Sequence, residues 1–559
     1  MNTPNRRYEA QTRPPSASAS HLRAFHSAAA FATFFLALAF AAQSQTVTWD
    51  WQAKGQTVGD SCVQGGNLIK STVTYPDDTN WSQSQVLGPD PCGDRVVYAP
   101  SNWSATNAPN GASYNVLIGN QGGATPILDL SVNVGSVTIQ TNGALAMLSG
   151  TTLTATNIVL QSDVSISGAG TLAAAALTKA TGTGISLISP TLSLSNSVVS
   201  AMSGTLELNG GSGSGTLGGS TGAVIDLTGG QSATWSGKLL SAGAGTVRLN
   251  SGLLDASPAL TLALTNPVLS WSGGSISGVL TNVGVVSVTA SGSVLVNGDS
   301  TFYNAGSVQA LGSQGVGLAV ASSGTGAVFD NLAAGTLQFG VNDAVFPATS
   351  GVNPPALLNQ GLLWKSVGTN VSLISVPFTN QAGSVEVDIG ALSLNGGAFV
   401  QGGGTLTFML GGAGAGQCGQ LACGSLSLSG PLAVTLSHGF TPQSGSQFQI
   451  IAATNVHGTF SSVSVPSGLS VSYRTNGVFL VSAAGPSPVR LLSPHLSGGN
   501  LLFSFTTAIG QSYTIQYNTN LAGTNWLFST NFTGDGSLFQ FSSAVSNRIS
   551  RLFYRVREP

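Results

Sequence analysis

"FTNQAGSVEVDIGALSLNGG", Phe378 to Gly397, is the stretch on which the reading of this chain turns. Asn380 and Gly383 stand at its head. Val385, Val387 and Ile389 then alternate with Glu386 and Asp388, Leu392 and Leu394 follow, and a pair of glycines closes it. Alternation with period two marks a strand with one buried face. Short strands bounded by Gly, Asn and Ser, which tolerate the positive φ of tight turns, describe one coil of a larger object. The expectation is that Val385, Val387, Ile389, Leu392 and Leu394 point inward, and Glu386 and Asp388 outward.

The unit recurs upstream as "LTNVGVVSV" from Leu280, "FYNAGSVQA" from Phe302, "FDNLAAGTLQF" from Phe329 and "LLNQGLLWK" from Leu357. The shared asparagines, Asn282, Asn304, Asn331, Asn359 and Asn380, are 22, 27, 28 and 21 residues apart. A unit of that size cannot bury an apolar face alone, but units stacked at the strand spacing of ~4.8 Å share a continuous core. The fold class is therefore all-β, a parallel β-helix (β-solenoid), read as right-handed, with about a dozen coils. At the same place in each coil the asparagines either hydrogen-bond their neighbours above and below or serve a turn preference; the sequence leaves both open.

Composition agrees. The chain has 559 residues, 74 of them Gly, and only 6% are charged, far below an average soluble protein, so an elongated apolar-cored object fits better than several charged globules. A net charge of −2 gives no electrostatic case for nucleic acid. Ahead of this, Arg6, Arg7, Arg13 and Arg23 precede the apolar run "AAAFATFFLALAFAA", Ala28 to Ala42, followed by polar "QSQTVTW". Basic flank, short apolar run and small residues in that order predict an export signal over 1–44, with no transmembrane segment after its removal and an extracellular or outer-surface location. Arg6-Arg7 lies too far from the apolar run to argue for a twin-arginine signal.

Export permits disulfides, and the four cysteines fall into two local pairs, predicting Cys62 with Cys92 and Cys418 with Cys423. Residues 45–110, with Trp49, Trp51, Trp81 and Trp103, are expected to form a disulfide-clipped N-terminal cap. The solenoid follows over 111–403, a β-rich terminal segment over 404–484, a linker at 485–490, and over 491–559 a small β-sandwich of immunoglobulin-like type with Tyr513, Tyr517 and Trp526 in its core.

"NWSATNAPNGASYNVLIG" from Asn102, "WSGGSISG" from Trp271, the repeated Phe-x-Asn-x-Gly units and "HGFTPQSGSQFQIIAATNVHGTFSSV" from His438 together resemble large secreted bacterial β-solenoid proteins related to autotransporter passenger and filamentous adhesin repeats. The closing "GQSYTIQYNTNLAGTNW" to "FYRVREP" is similar to a β-sandwich module appended to many exported proteins. The resemblance covers nearly all of the chain after the signal, though no translocating barrel follows before Pro559. It implies an adhesin-like or structural role without catalysis, with polysaccharide or other cell-surface components as partners.

The rival reading is a polysaccharide-degrading enzyme, lyase or glycoside hydrolase. Glu207, Asp226 and Arg248 are 19 and 22 residues apart, about one coil each, so the two carboxylates would stack in one outward column and could serve as acid and nucleophile; solvated surface charge explains the same spacing. Glu386 and Asp388 share a strand face and raise the same pair of alternatives. A third reading is non-catalytic carbohydrate binding, by stacking on Trp49, Trp51, Trp81 and Trp103, which would otherwise close the apolar end of the solenoid. Asp50, Asp60, Asp77, Asp78, Asp90 and Asp94 could hold Ca²⁺ in the cap, but two distant cysteine pairs do not make a zinc site, and no metal or cofactor is assigned. "GGSTG" at Gly218 fits the pattern of a serine nucleophile but lies in Gly/Ser-rich sequence with no following helix, and "GSGTLG" at Gly213 and "GAGQCG" at Gly414 fit a dinucleotide fingerprint but are read as turns, because the strand-to-helix context is missing.

Overall fold

Every second side chain of a half-buried strand needs an interior, and here successive coils supply it to one another. The computed structural model describes residues 45–49, 79–82, 102–104, 107–119 and, apart from 120–123, 291–293, 311–314, 320–324, 341–344, 347–352, 438, 484–488 and 547–550, residues 124–558. It also describes the backbone of the strands Thr57–Gln64, Asn67–Thr74, Val86–Pro89 and Val96–Tyr98. The predicted export signal, Trp51, Cys92 and the side chains of Cys62 and of the cap aspartates lie outside the described residues. No described residue is helical, so no described helix is long and apolar enough to cross a membrane.

The fold is a parallel β-solenoid of about 14 turns. Its first sheet has seventeen strands, from Gln45–Thr48 to Phe378–Asn380, and its second has sixteen, from Ile127–Leu128 to Val463–Ser464. A third sheet opens at Val345–Phe346 and continues through Val371–Ile374, Ala391–Leu394 and Gln420–Leu428. Strands one coil apart are in register: Thr336 faces Leu362, which faces Ser384. Inward positions form apolar columns such as Val286, Val308, Leu337, Leu363, Val385 and Leu406, none more than 1% exposed. Another column runs Leu280, Phe302, Phe329, Leu357 and Phe378, with the rings of Phe302 and Phe329 stacked at 4.9 Å. Each such side chain contributes about 2 kcal/mol on leaving water.

Between these columns the asparagines form a ladder. Asn282 Nδ2 donates to Asn304 Oδ1 at 2.8 Å, Asn304 to Asn331 at 2.8 Å, Asn331 to Asn359 at 2.7 Å and Asn359 to Asn380 at 2.7 Å. The second N–H of each amide reaches a main-chain carbonyl of the next coil: Ser307, Thr336, Leu362 and Ser384 in turn. All five residues are at most 1% exposed, so the ladder, beyond any turn preference, accounts for their recurrence. Gln401 takes the place after Asn380, its Nε2 donating to Gly404 and Pro431 while its Oε1 has no hydrogen-bond partner. The glycine that follows each asparagine has a steric reason. A β-carbon at Gly306 would collide with the carbonyl oxygen of Gly284, and one at Gly361 with that of Gly335.

Three expectations change in detail here. Ile389 is only half-buried, because the strand Ser384–Val387 ends before it and the chain turns at Gly390 (φ 70°). Cys418 and Cys423 are free thiols. Cys418 Sγ donates to the Gly412 carbonyl at 2.8 Å, whereas Cys423 lies within the strand that starts at Gln420, beside Leu394 of the preceding coil. The extended rise of ~3.3 Å per residue carries Cys423 away from the short Cα separation a disulfide demands. Burial pushes the Cys423 thiol up to about 11. Trp49, Trp81 and Trp103 are at most 1% exposed and pack on each other, with centroids 5.1 and 4.4 Å apart, so they close the solenoid interior and offer no sugar platform. Trp49 N donates to the Leu117 carbonyl and Trp81 N to that of Ile127, continuing the two sheets toward the cap.

A second unit takes in residues 441–448, 467–472 and 479–559. It holds two antiparallel sheets of three strands, Leu492–Ser497, Asn500–Thr506 and Leu538–Ala544 in one and Ser512–Asn518, Leu527–Thr533 and Phe553–Arg557 in the other. Phe503, Phe505, Tyr513, Ile515 and Phe541 form its core. Tyr517 and Trp526, expected there too, are part-exposed, and the Arg555 guanidinium sits 4.4 Å from the Trp526 ring.

Asn331→Ala leaves one N–H of Asn304 and the Oδ1 of Asn359 without the partner Asn331 supplied and is expected to cost about 2 to 4 kcal/mol in denaturant unfolding. Gly306→Ala, which meets main chain, is expected to destabilise well beyond Gly222→Ala, where φ is 83° but nothing lies within 4 Å of the new carbon; thermal midpoints of the two variants check the difference.

Candidate binding face on the second sheet

The register of the second sheet lines up one outward column along most of its length. Leu187, Glu207, Asp226, Arg248 and Ser270 are successive partners, then Ser287, Gln309, Gln338, Trp364, Glu386 and Thr407. Both carboxylate clusters singled out in the sequence therefore sit on one face, separated by hydroxyl and amide side chains.

Glu207, Asp226 and Arg248 are in-register neighbours, but they do not form a solvated column. Asp226 is 1% exposed. Its Oδ1 accepts from Thr228 N at 3.1 Å, Thr228 Oγ1 at 3.3 Å and Gly229 N at 3.0 Å, and its Oδ2 accepts from Arg248 Nε at 2.8 Å. The turn after the strand folds over the carboxylate, so period-two spacing alone misplaces it. Glu207 keeps part of its surface; partial burial, then repulsion from Asp226, holds its carboxyl above the ordinary 4.5, with Arg248 acting the other way. Asp226 is thus buried and held by four donors within the fold.

At the second cluster, Trp364 Nε1 donates to Asp388 Oδ2 at 2.8 Å. Glu386 lies one coil from Trp364; partial burial first, then the neighbouring Asp388, raises its carboxyl above 4.5. Trp364 went unremarked in the sequence although the signal was there: it follows Asn359 by five residues, as Gln309 follows Asn304, which assigns it to the outward column.

The basic residues of the solenoid are dispersed. Lys179 is fully buried, donating to Asp163 Oδ1 at 2.7 Å and Ser186 Oγ at 3.2 Å, and Lys365 is fully buried, donating to the Val367 carbonyl at 2.8 Å. Lys238 is exposed on the first sheet. "GSGTLG", expected as a turn, lies inside the strand Gly210–Gly219, where it pairs with neighbouring coils; "GGSTG" runs from the end of that strand into a turn followed by another strand, and "GAGQCG" is a turn before Gln420–Leu428. Among the described residues no three His, Cys, Asp or Glu side chains gather where they could hold a metal ion. No family model, curated protein or solved structure matches the chain.

Arg248→Ala strands Asp226 and is expected to cost about 2 to 3 kcal/mol, the low end for a broken pair because Arg248 is part-exposed. The raised carboxyl of Glu386 stabilises the fold only while protonated, so that contribution is present below the ordinary 4.5 and is lost as pH rises through the folded value. Glu386→Gln is therefore expected to raise the thermal midpoint at pH 7, with the gap closing below about pH 4.

Proposed function

We propose that this is an exported protein acting at the cell surface or outside the cell as an adhesive or structural element, its solenoid offering repeated side chains to polysaccharide or other surface components. The observation that carries this reading is the division of labour between the two faces of each strand. Cohesion is internal, in the apolar columns and the amide ladder, while the outward column of the second sheet repeats small hydroxyl and amide groups coil after coil. Such a surface supports many weak contacts in line, whose avidity grows with their number. The C-terminal unit is read as an immunoglobulin-like sandwich, a display or attachment module.

The enzyme reading has less support. It needs two independent carboxyls in a cleft, and Asp226 is held by Arg248 and the turn while Asp388 is engaged by the Trp364 indole. The separating experiment expresses the full chain, fractionates the cells and incubates the recovered protein with a polysaccharide array, scoring retained protein and released oligosaccharide separately. Recovery outside the inner membrane, with retention on glycans or cells and no release, is the expected result. Release that disappears in Glu386→Gln or Asp388→Asn would establish the enzyme instead, and a wholly cytoplasmic protein would overturn the surface reading.

A further inference from the structure

We infer that the outward column from Gln309 to Thr407 is a recognition strip for an extended glycan of neutral or amine-bearing pyranose rings, with Trp364 as its stacking platform and Glu386 and Asp388 as its acceptors. This names a ligand class for the surface role proposed above and rests on that reading.

The strand Leu362–Lys365 carries the first argument. It buries its lysine completely and leaves its tryptophan part-exposed, the reverse of what transfer from water favours. Elsewhere the chain places indoles inside: Trp49, Trp81, Trp103, Trp235 and Trp271 are at most 1% exposed. Of the seven described tryptophans only Trp364 and Trp526 keep surface, and Trp526 has a guanidinium against its ring. A residue that breaks the local burial rule without a packing gain is where function is expected. Asp388 fixes this indole through Nε1, so little rotamer freedom is lost when a ligand stacks on it.

The second argument is spacing. Gln309, Gln338, Trp364, Glu386 and Thr407 are in-register, part-exposed neighbours on five successive coils. They step along the solenoid by ~4.8 Å, close to the length of one sugar in an extended β-linked chain. One sugar per coil would thus meet one side chain per coil, its C–H face on the indole and its neighbours' hydroxyls on the amides and carboxylates.

Charge decides the class. No described basic side chain forms an ion pair with Glu386 or Asp388; the ion pairs among described residues are Lys179 with Asp163 and Arg248 with Asp226. A carboxyl pair with no basic partner accepts hydrogen bonds from hydroxyls, or pairs with the ammonium of an amino sugar, and disfavours a uronate.

The test is titration calorimetry of the full protein against a β-1,4-glucose hexamer, a β-1,4-glucosamine hexamer and a galacturonate hexamer. Binding of the first or second, with the galacturonate hexamer at least tenfold weaker, is expected; which of the two binds tighter separates hydroxyl from ammonium recognition. Trp364→Ala should weaken binding at least tenfold with an unchanged far-ultraviolet spectrum, and Trp364→Phe should fall between. Should Trp364→Ala fail to fold, Thr407→Arg, which leaves the indole in place but blocks the strip, should lose binding to the same extent, while Lys238→Ala on the first sheet should not. Unaltered affinity in folded Trp364→Ala or Thr407→Arg, preference for the galacturonate hexamer, or no binding of any hexamer would overturn the strip. The surface role itself would still be judged by fractionation and cell retention, which do not depend on these sugars.

Discussion

A buried carboxamide has two N–H groups and a carbonyl oxygen to satisfy, and stacking identical coils is an economical way to satisfy all three. In this chain Asn331 shows the arrangement: its Oδ1 receives Asn304, and its two N–H groups reach Asn359 and the carbonyl of Leu362. The hydrogen bonds work only in register, since a coil slipped by one residue would turn its asparagine to the outside and leave its neighbours unpaired. The glycines after the asparagines enforce the same register sterically, and the apolar columns follow once the amides are aligned.

Register fixed from within also organises the surface. Because Leu363 must face Val385 inside, Trp364 must face Glu386 outside, and the outward column inherits the regularity of the core without contributing to it. That freedom separates the two carboxylate clusters in kind. Asp226 is absorbed into the fold by Arg248 and the turn at Thr228, while Asp388 holds an indole at the surface. The chain spends one cluster on stability and leaves the other available for contact.

Much of this was legible in the residues. The intervals between Asn282, Asn304, Asn331, Asn359 and Asn380 located the ladder, and the intervals between Glu207, Asp226 and Arg248 gave the register in which they meet. What escaped were features set by local turns. Period-two alternation cannot show that Thr228 and Gly229 bend back over Asp226, that the strand stops at Val387 before Ile389, or that an extended strand lies between Cys418 and Cys423. The cap tryptophans were read two ways because both roles call for the same residue; burial and mutual packing decide for an interior role at Trp49, Trp81 and Trp103. Trp364 was hidden for the opposite reason, since in "LLWK" it passes for core unless its distance from Asn359 is compared with the other repeats.

The central claim is that the amide ladder makes the coils it spans one cooperative unit. Hydrogen exchange followed by mass spectrometry on peptides covering 275–410 tests it directly. If the ladder couples the coils, peptides around Asn304, Asn331 and Asn359 exchange together, at one free energy of opening and among the slowest in the solenoid. Exchange that proceeds coil by coil, with each peptide opening at its own free energy, would contradict it.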